Sequence, residues 1–296
     1  MPSELELIEA FLAPFPGGER VVIGPGSDCA AVRPARGMKL VVTTDAVVER
    51  VHFSWLRFTP EDVGWKSLAV NLSDLAAAGA RPRWFLCALA VPRGTTLRQA
   101  SGVARGMAQL ARRHRCALIG GNVTAASAWS VTITALGEAA RPLSRAGARP
   151  GDALVVVGRL GEAAAGLRPG ASAAESKAQR RPEPLVREGM KANAFASAAV
   201  DVSDGFLRDL GHLLRESRCG AQVECSLLPA RDLDLALSGG EDYALLLSVP
   251  RRKLAALQRA VRCIEVGRIV RGSGIQLTEH GRPRPLPRVT GFDHLK

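Results

Sequence analysis

Apolar and polar positions switch between two periods along this chain, and each switch marks an element. Residues 3–14 repeat at helical spacing behind an acidic start, which predicts a short amphipathic helix. Met38 to Thr44 is apolar and β-branched and predicts a buried strand. Thr59-Pro60-Glu61-Asp62 is a helix start, with Thr as N-cap, Pro at the first position and acids in the first turn. That helix should run to Ala78 and stop at Gly79. A strand over 83–91, a helix over about 96–114 and strands over 116–120, 129–138 and 153–158 follow. The stretch 138–152 is rich in Pro, Gly and Arg and places a domain boundary, giving domains 1–139 and 140–296. Residues 168–181 are the least core-like of the chain and predict a mobile loop. Strands alternate with helices without a strict βαβ rhythm, so the pattern favours an α+β fold of two α/β domains over one doubly wound sheet.

Composition narrows the function classes. The 296 residues, 47% of them hydrophobic, suffice for two domains with real cores. Aromatic residues make up only 4%, which argues against stacking platforms for single-stranded nucleic acid. The formal charge is +12. This suits either an anion-binding surface or arginines spread over solvated faces, and the absence of one long basic run favours the second. No nucleic-acid partner is expected. Six cysteines without a C-x-x-C pair fit a reducing compartment and argue against zinc. The acidic N-terminus resembles neither a signal nor a transit peptide, and no apolar run reaches membrane-spanning length. The expected location is cytoplasmic, with no membrane partner.

The informative residues are aspartates at the ends of apolar runs. Asp28 follows a Gly-Pro-Gly-Ser loop, Asp45 ends the run Leu40–Thr44, and Asp74 lies about one turn before Gly79. Asp201 and Asp204 bracket Val202-Ser203, and Asp242 follows Gly239-Gly240-Glu241. A carboxylate in a last helical turn faces the negative end of the dipole, and its burial unpaired is costly. Asp74 therefore predicts either a bound cation or a local partner, an amide or an arginine. Asp201 and Asp204, three apart, suit one point at a helix start that Ser203 would cap, although capping alone also explains such a cluster. As a set, several carboxylates beside Gly-rich turns (24–26, 120–121, 239–240) suit Mg²⁺, which bridges protein carboxylates to substrate phosphates. Neither a P-loop nor G-x-G-x-x-G opening a helix is present.

These stretches carry a family resemblance. GSDCAAV (26–32), VVTTDAVVERVHF (41–53), KSLAVNLSDLAAAGARP (66–82), LIGGN (118–122), RPLSRAGARPGD (141–152), VDVSDGF (200–206), LSGGEDYALL (237–246) and GFDH (291–294) occur in one order along nearly the whole chain. Together they resemble the thiamine-monophosphate kinases, a group related to aminoimidazole ribonucleotide synthetase and selenophosphate synthetase. The resemblance implies ATP as co-substrate and thiamine monophosphate as acceptor, with direct in-line transfer assisted by several Mg²⁺ ions. It implies metal positions at Asp28, Thr43, Thr44, Asp45, Asp74, Asp201 and Asp204, with Asp45 and Asp204 as the catalytic pair. Nucleotide contacts fall at Gly121, Asn122, Arg145 and Ser203, and acceptor contacts at His52, Glu241 and Phe292. It also implies a homodimer whose N-terminal mixed sheets pair into a barrel-like sheet, a C-terminal α/β sandwich, and a cleft between domains as the site. Two departures stand out. Ser27 replaces one of two acids in the first loop, and Asn122 stands where the family has Asp, supplying an oxygen without charge. A related kinase acting on a different phosphorylated acceptor, and a non-catalytic basic binding protein, are the competing expectations.

Overall fold

The computed structural model describes residues 2–292. The chain divides into two compact units, Met1–Leu75 with Arg81–Ala140, and Ala76–Ala80 with Arg141–Lys296.

The first unit runs α1 (Glu4–Leu12), a small hairpin of β1 (Val21–Ile23) and β2 (Ala31–Val32), β3 (Lys39–Val48), α2 (Pro60–Ala77), β4 (Arg81–Val91), α3 (Leu97–His114), β5 (Ala117–Ala125) and β6 (Ser130–Ala139). α2 begins where its sequence says. Asp62 donates its backbone N–H to Thr59 Oγ1 at 3.2 Å, and the Thr59 N–H returns to Asp62 Oδ2 at 3.1 Å, a reciprocal cap. It stops at Gly79, whose φ of +65° suits a residue without Cβ. The large strands form a four-stranded sheet in the order β3-β6-β4-β5. β4 and β5 are parallel, joined by α3 as crossover, and the other pairs are antiparallel. Trp84, Phe85 and Ile133 from the sheet and Leu68, Leu72, Met107 and Leu110 from the helices are fully buried.

β3 differs from the buried strand that its composition suggests. It is an edge strand, and Leu40 and Val42 stand exposed. Gly120 and Gly121 differ too: they lie inside β5, not in a turn. A Cβ on Gly121 would sit 2.0 Å from the carbonyl oxygen of Cys87 on β4, so the glycine serves close strand approach beside the register shift at Phe85/Leu86.

The second unit runs β7 (Ala153–Val157), α4 (Glu162–Ala165), α5 (Ala173–Arg180), α6 (Val186–Ala192), β8 (Ala198–Val202), α7 (Phe206–Ser217), β9 (Gly220–Glu224), α8 (Leu233–Ser238), β10 (Ala244–Val249), α9 (Arg251–Ala260), β11 (Ile264–Val270), β12 (Gly274–Glu279) and β13 (Arg282–Arg284). Its seven-stranded mixed sheet has the order β13-β12-β9-β11-β7-β10-β8, with only the β12–β9 pair parallel. β7, β8 and β10 are buried at every residue; β7 is wholly apolar, while β8 and β10 bury one polar residue each, Asp201 and Ser248. α7 lays Phe206, Leu207, Leu210, Leu213 and Leu214 against Val156, Val200, Val202 and Leu246. Both units mix helices with mixed sheets, an α+β architecture.

The stretch 168–181 is not the expected loop. Ser172 and Glu175 form a capping box that starts α5. The helix is short and polar, so the cap carries its only local signal. No helix among the described residues is long and apolar enough to cross a membrane.

Candidate active site

The first unit brings together two of the expected metal positions from elements 31 residues apart. Thr43 Oγ1, on β3, donates to Asp74 Oδ2, in the last turn of α2, at 2.5 Å. Asp45 lies two residues beyond Thr43 and so on the same face of the strand. It falls within β3, which continues to Val48, rather than at its end. Thr44 points to the other face, where Oγ1 donates to the Ile133 carbonyl at 3.1 Å. Asn71, on α2 three residues before Asp74, has a buried Oδ1 without a hydrogen-bond partner. Asp28 is exposed on the loop between β1 and β2.

His52 sits in a turn built tightly behind β3. The Val48 N–H donates to its Nδ1 at 3.1 Å, which leaves Nε2 to carry the proton of the neutral ring. Lys66, fully buried on α2, donates from Nζ to the His52 carbonyl at 3.1 Å and lies 5.3 Å from the centre of the Phe58 ring. In the sequence Lys66 is the single cation of α2 and the first residue of the family-like stretch 66–82.

Gly121 and Asn122 lie on β5, exposed. β5 and β3 are the opposite edges of the sheet, three strand spacings or roughly 14 Å apart. Within one chain, therefore, Asn122 does not join Asp45 at a single point.

The second unit gathers Ser203, Asp204, Glu241 and Phe292. The buried Asp201 is the next-to-last residue of β8, and residues 203–205 turn into α7. The Glu241 N–H donates to the Ser203 carbonyl at 2.7 Å, and the Phe292 N–H donates to the Asp204 carbonyl at 2.9 Å. A Cβ on Gly240 would lie 2.6 Å from the same Ser203 oxygen, so this glycine lets the two loops touch. Glu241 and Tyr243 both hold left-handed backbone, at φ +67° and +50°. Non-glycine residues tolerate that conformation where surrounding structure over-determines it, commonly at functional sites. The Phe292 ring is 50% exposed. Asp293 and His294, the end of the GFDH stretch, lie outside the described residues.

Two acids that carry no expected role, the buried Asp209 and the half-buried Asp242, hold these loops. Asp209 Oδ2 accepts the backbone N–H groups of Ser203, Asp204 and Gly205 at 3.0, 3.0 and 3.2 Å. Ser203 therefore does not cap α7, because the helix itself reaches back through Asp209 to satisfy the turn. Burial and then the charge of Asp204 push the Asp209 carboxyl up to about 7, against those three donors. Asp242, between the two left-handed residues, accepts from the Gly161 N–H at 2.6 Å and the Ala163 N–H at 3.1 Å. It is a clasp for the start of α4 rather than a free ligand. The sequence signal for Asp209 was an acid among the apolar positions of α7.

Asp204 pairs with Arg208, Oδ2 to Nε, at 3.4 Å. A carboxylate oxygen each of Asp204 and Asp209 and a ring nitrogen of His212 lie within 4.8 Å of one another. Arg145 is exposed; its carbonyl accepts from Ser217 Oγ at 2.7 Å, and its charge helps to lower the basicity of His212. The expected metal positions of both units are aspartate and threonine oxygens, a donor set that fits a hard cation such as Mg²⁺.

The chain's likeness to known proteins agrees with this geometry. Residues 26–139 match the N-terminal domain of AIR synthase related protein, and residues 149–280 match its C-terminal domain. A thiamine-monophosphate kinase of Escherichia coli (strain K12) is 36% identical over 93% of this chain and 92% of its own length. The crystal structure of thiamine-monophosphate kinase from Stenotrophomonas maltophilia K279a superposes with a TM-score of 0.83 at 36% identity, covering 95% of this chain and 98% of that one. A third structure, AaThiL complexed with AMPPCP and TMP, gives a TM-score of 0.79 at 28% identity over 98% and 95% of the two chains. The chain belongs to the AIR synthase related family and, within it, to the thiamine-monophosphate kinases.

Proposed function

We infer that this enzyme transfers the γ-phosphoryl group of ATP to thiamine monophosphate, forming ADP and thiamine diphosphate. The observation that carries the reading is the meeting of Ser203, Asp204, Glu241 and Phe292 through two short backbone contacts, in a chain whose relatives include one solved with AMPPCP and TMP. An oxygen of the acceptor phosphate forms the new bond to the γ-phosphorus. The bond from that phosphorus to the β–γ bridging oxygen breaks, and ADP leaves with the electron pair. The acceptor is already anionic, so no strong base is required, and positioning with charge neutralisation does the chemistry. Arg145 and Ser203 hold nucleotide phosphate, Gly121 and Asn122 complete the nucleotide contacts, and Arg145 does so through charge-assisted hydrogen bonds. His52 meets the acceptor, Glu241 suits its cationic ring, and the half-exposed Phe292 ring suits stacking on its flat heterocycle. Asp28, Thr43, Asp45, Asp74, Asp201 and Asp204 would hold Mg²⁺ through side-chain oxygens, and Thr44, whose side chain faces the other side of β3, through its backbone oxygen; the ion would neutralise charge between the two phosphate groups.

The test is ADP release with Mg-ATP, measured with and without thiamine monophosphate. Release should depend on the acceptor; equal rates in both conditions would remove thiamine monophosphate from the reading.

The sheet edges support the homodimer. β3 and β5 are both open, and β3 exposes Leu40 and Val42. An exposed apolar edge invites pairing with another chain. Closing two such sheets into a barrel, β3 of each on β5 of the other, would remove all four edges and bring the strand that carries Asn122 against the partner's strand that carries Asp45. On this reading 1–139 is the dimerisation and metal-binding domain, 140–296 completes the site, and the protein works in the cytoplasm. Sedimentation equilibrium should return twice the chain mass of 31.3 kDa; a monomer at working concentration would refute the pairing.

A further inference from the structure

One face of α7 borders a cavity of about 860 Å³ that lies wholly within the second unit. Arg208, His212 and Arg215 stand at i, i+4 and i+7 on that helix, so their side chains share a face. Arg218, in left-handed backbone at the helix end, adds a fourth basic group to the lining. Among the described residues, no aspartate or glutamate lines the cavity.

Other parts of the lining are of another kind. Gly272 and Gly274 hold φ of +93° and +83°, and a Cβ on either would meet nothing within 4 Å. The turn between β11 and β12 thus offers bare backbone with open space in front of it. Leu214, Ile275 and Leu286 add apolar surface. A cationic wall with an apolar floor suits a ligand that is anionic at one end and flat or apolar at the other.

Of the lining arginines, Arg208 is paired with Asp204, whereas Arg215 and Arg218 form no ion pair among the described residues. Arg215 places Nη2 2.5 Å from His212 Nδ1, so the two side chains stack their polar atoms on the cavity wall. Burial first, and then the charges of Arg145, Arg215 and Arg208, hold the His212 pKa below the ordinary histidine value, while Asp204 pulls the other way. Such a field attracts an anion and favours phosphate in particular, because arginine forks match phosphate oxygens.

We propose that this cavity is a binding site for an organic phosphate of nucleoside-monophosphate size, held by Arg208, Arg215 and Arg218 with its body on Leu214, Ile275 and Leu286. It is separate from the acceptor contacts assigned to Glu241 and Phe292, neither of which lines it. Arg208 links the two regions. Its Nε faces Asp204, so a phosphate in the cavity competes with Asp204 for this guanidinium.

The experiment is calorimetric titration of AMP without magnesium, with inorganic phosphate as competitor, on the wild type and on Arg215→Ser/Arg218→Ser. Both arginines are exposed, so the double variant should keep its fold. The wild type should bind AMP saturably and inorganic phosphate should compete. The double variant should bind at least about tenfold more weakly, since charge-assisted contacts are lost. Acceptor-dependent ADP release, read on the same samples, should stay near wild type, so failure of the kinase reading shows separately. Equal AMP affinity in the two proteins, or binding that phosphate does not displace, would overturn the proposal.

Discussion

Asp242→Asn should gain stability relative to the wild type as pH rises from 4 to 8, by about 4 kcal/mol in total. The expectation follows from the position of Asp242. Burial pushes its carboxyl up from the ordinary 3.8 to about 7, while the N–H groups of Gly161 and Ala163 pull it down. Between those two values the folded chain keeps a proton that the unfolded chain has released. The stabilising contribution is therefore complete below about pH 4 and is lost as pH rises through about 7. Asparagine has no proton to lose, so the difference between the proteins isolates this one group. Tryptophan fluorescence cannot read it, because Trp55, Trp65, Trp84 and Trp129 all lie in the first unit. Amide exchange of β10, compared between the two proteins at each pH so that intrinsic rates cancel, reports the correct unit. A difference between the two proteins that stays constant with pH would mean that the backbone donors outweigh burial and the carboxylate is ionised throughout.

The contrast between Asp242 and the residues around it shows which features could be read from sequence. Local chemistry was legible. Thr59-Pro60-Glu61-Asp62 fixed the start of α2, and Gly79 its end, because a cap needs only residues within one turn of each other. The long apolar run 153–157 announced a buried strand, although the order of the sheet, with β8 at one edge and β7 two places in, follows from pairings that no local pattern encodes. Asp204, Glu241 and Phe292 stood out as a set, yet the bonds that join them run over 38 and 88 residues of chain, from Ser203 to Glu241 and from Asp204 to Phe292. Glycine was the most ambiguous letter. Gly79 marks a left-handed stop, whereas Gly121 marks a strand so close that a Cβ would strike the Cys87 carbonyl. α5 was missed because its capping box is its only cue, and Asp209 because an acid on an apolar helix face signals burial without saying what satisfies it.

Gly106→Ala should destabilise the first unit by about 3 kcal/mol, even though alanine is the better helix former by about 1 kcal/mol. α2 and α3 approach at two reciprocal points. A Cβ on Gly106 would lie 1.9 Å from the Glu61 carbonyl oxygen, and a Cβ on Gly64 would lie 1.8 Å from the Val103 carbonyl oxygen. Both obstacles are backbone, so no rotamer change relieves them. The helices must instead separate by more than 1 Å, which thins the packing around Leu68, Val103 and Met107, all fully buried. Overpacking therefore exceeds the propensity gain. One separation relieves both clashes, so Gly64→Ala/Gly106→Ala should cost clearly less than the sum of the single changes. Urea unfolding followed by tryptophan emission reads this unit alone, since all four tryptophans lie in it. Equal or greater stability in Gly106→Ala would show that the helices slide past each other without loss. Strict additivity in the double variant would show that the two crossings yield independently, and the shared-separation argument would fall.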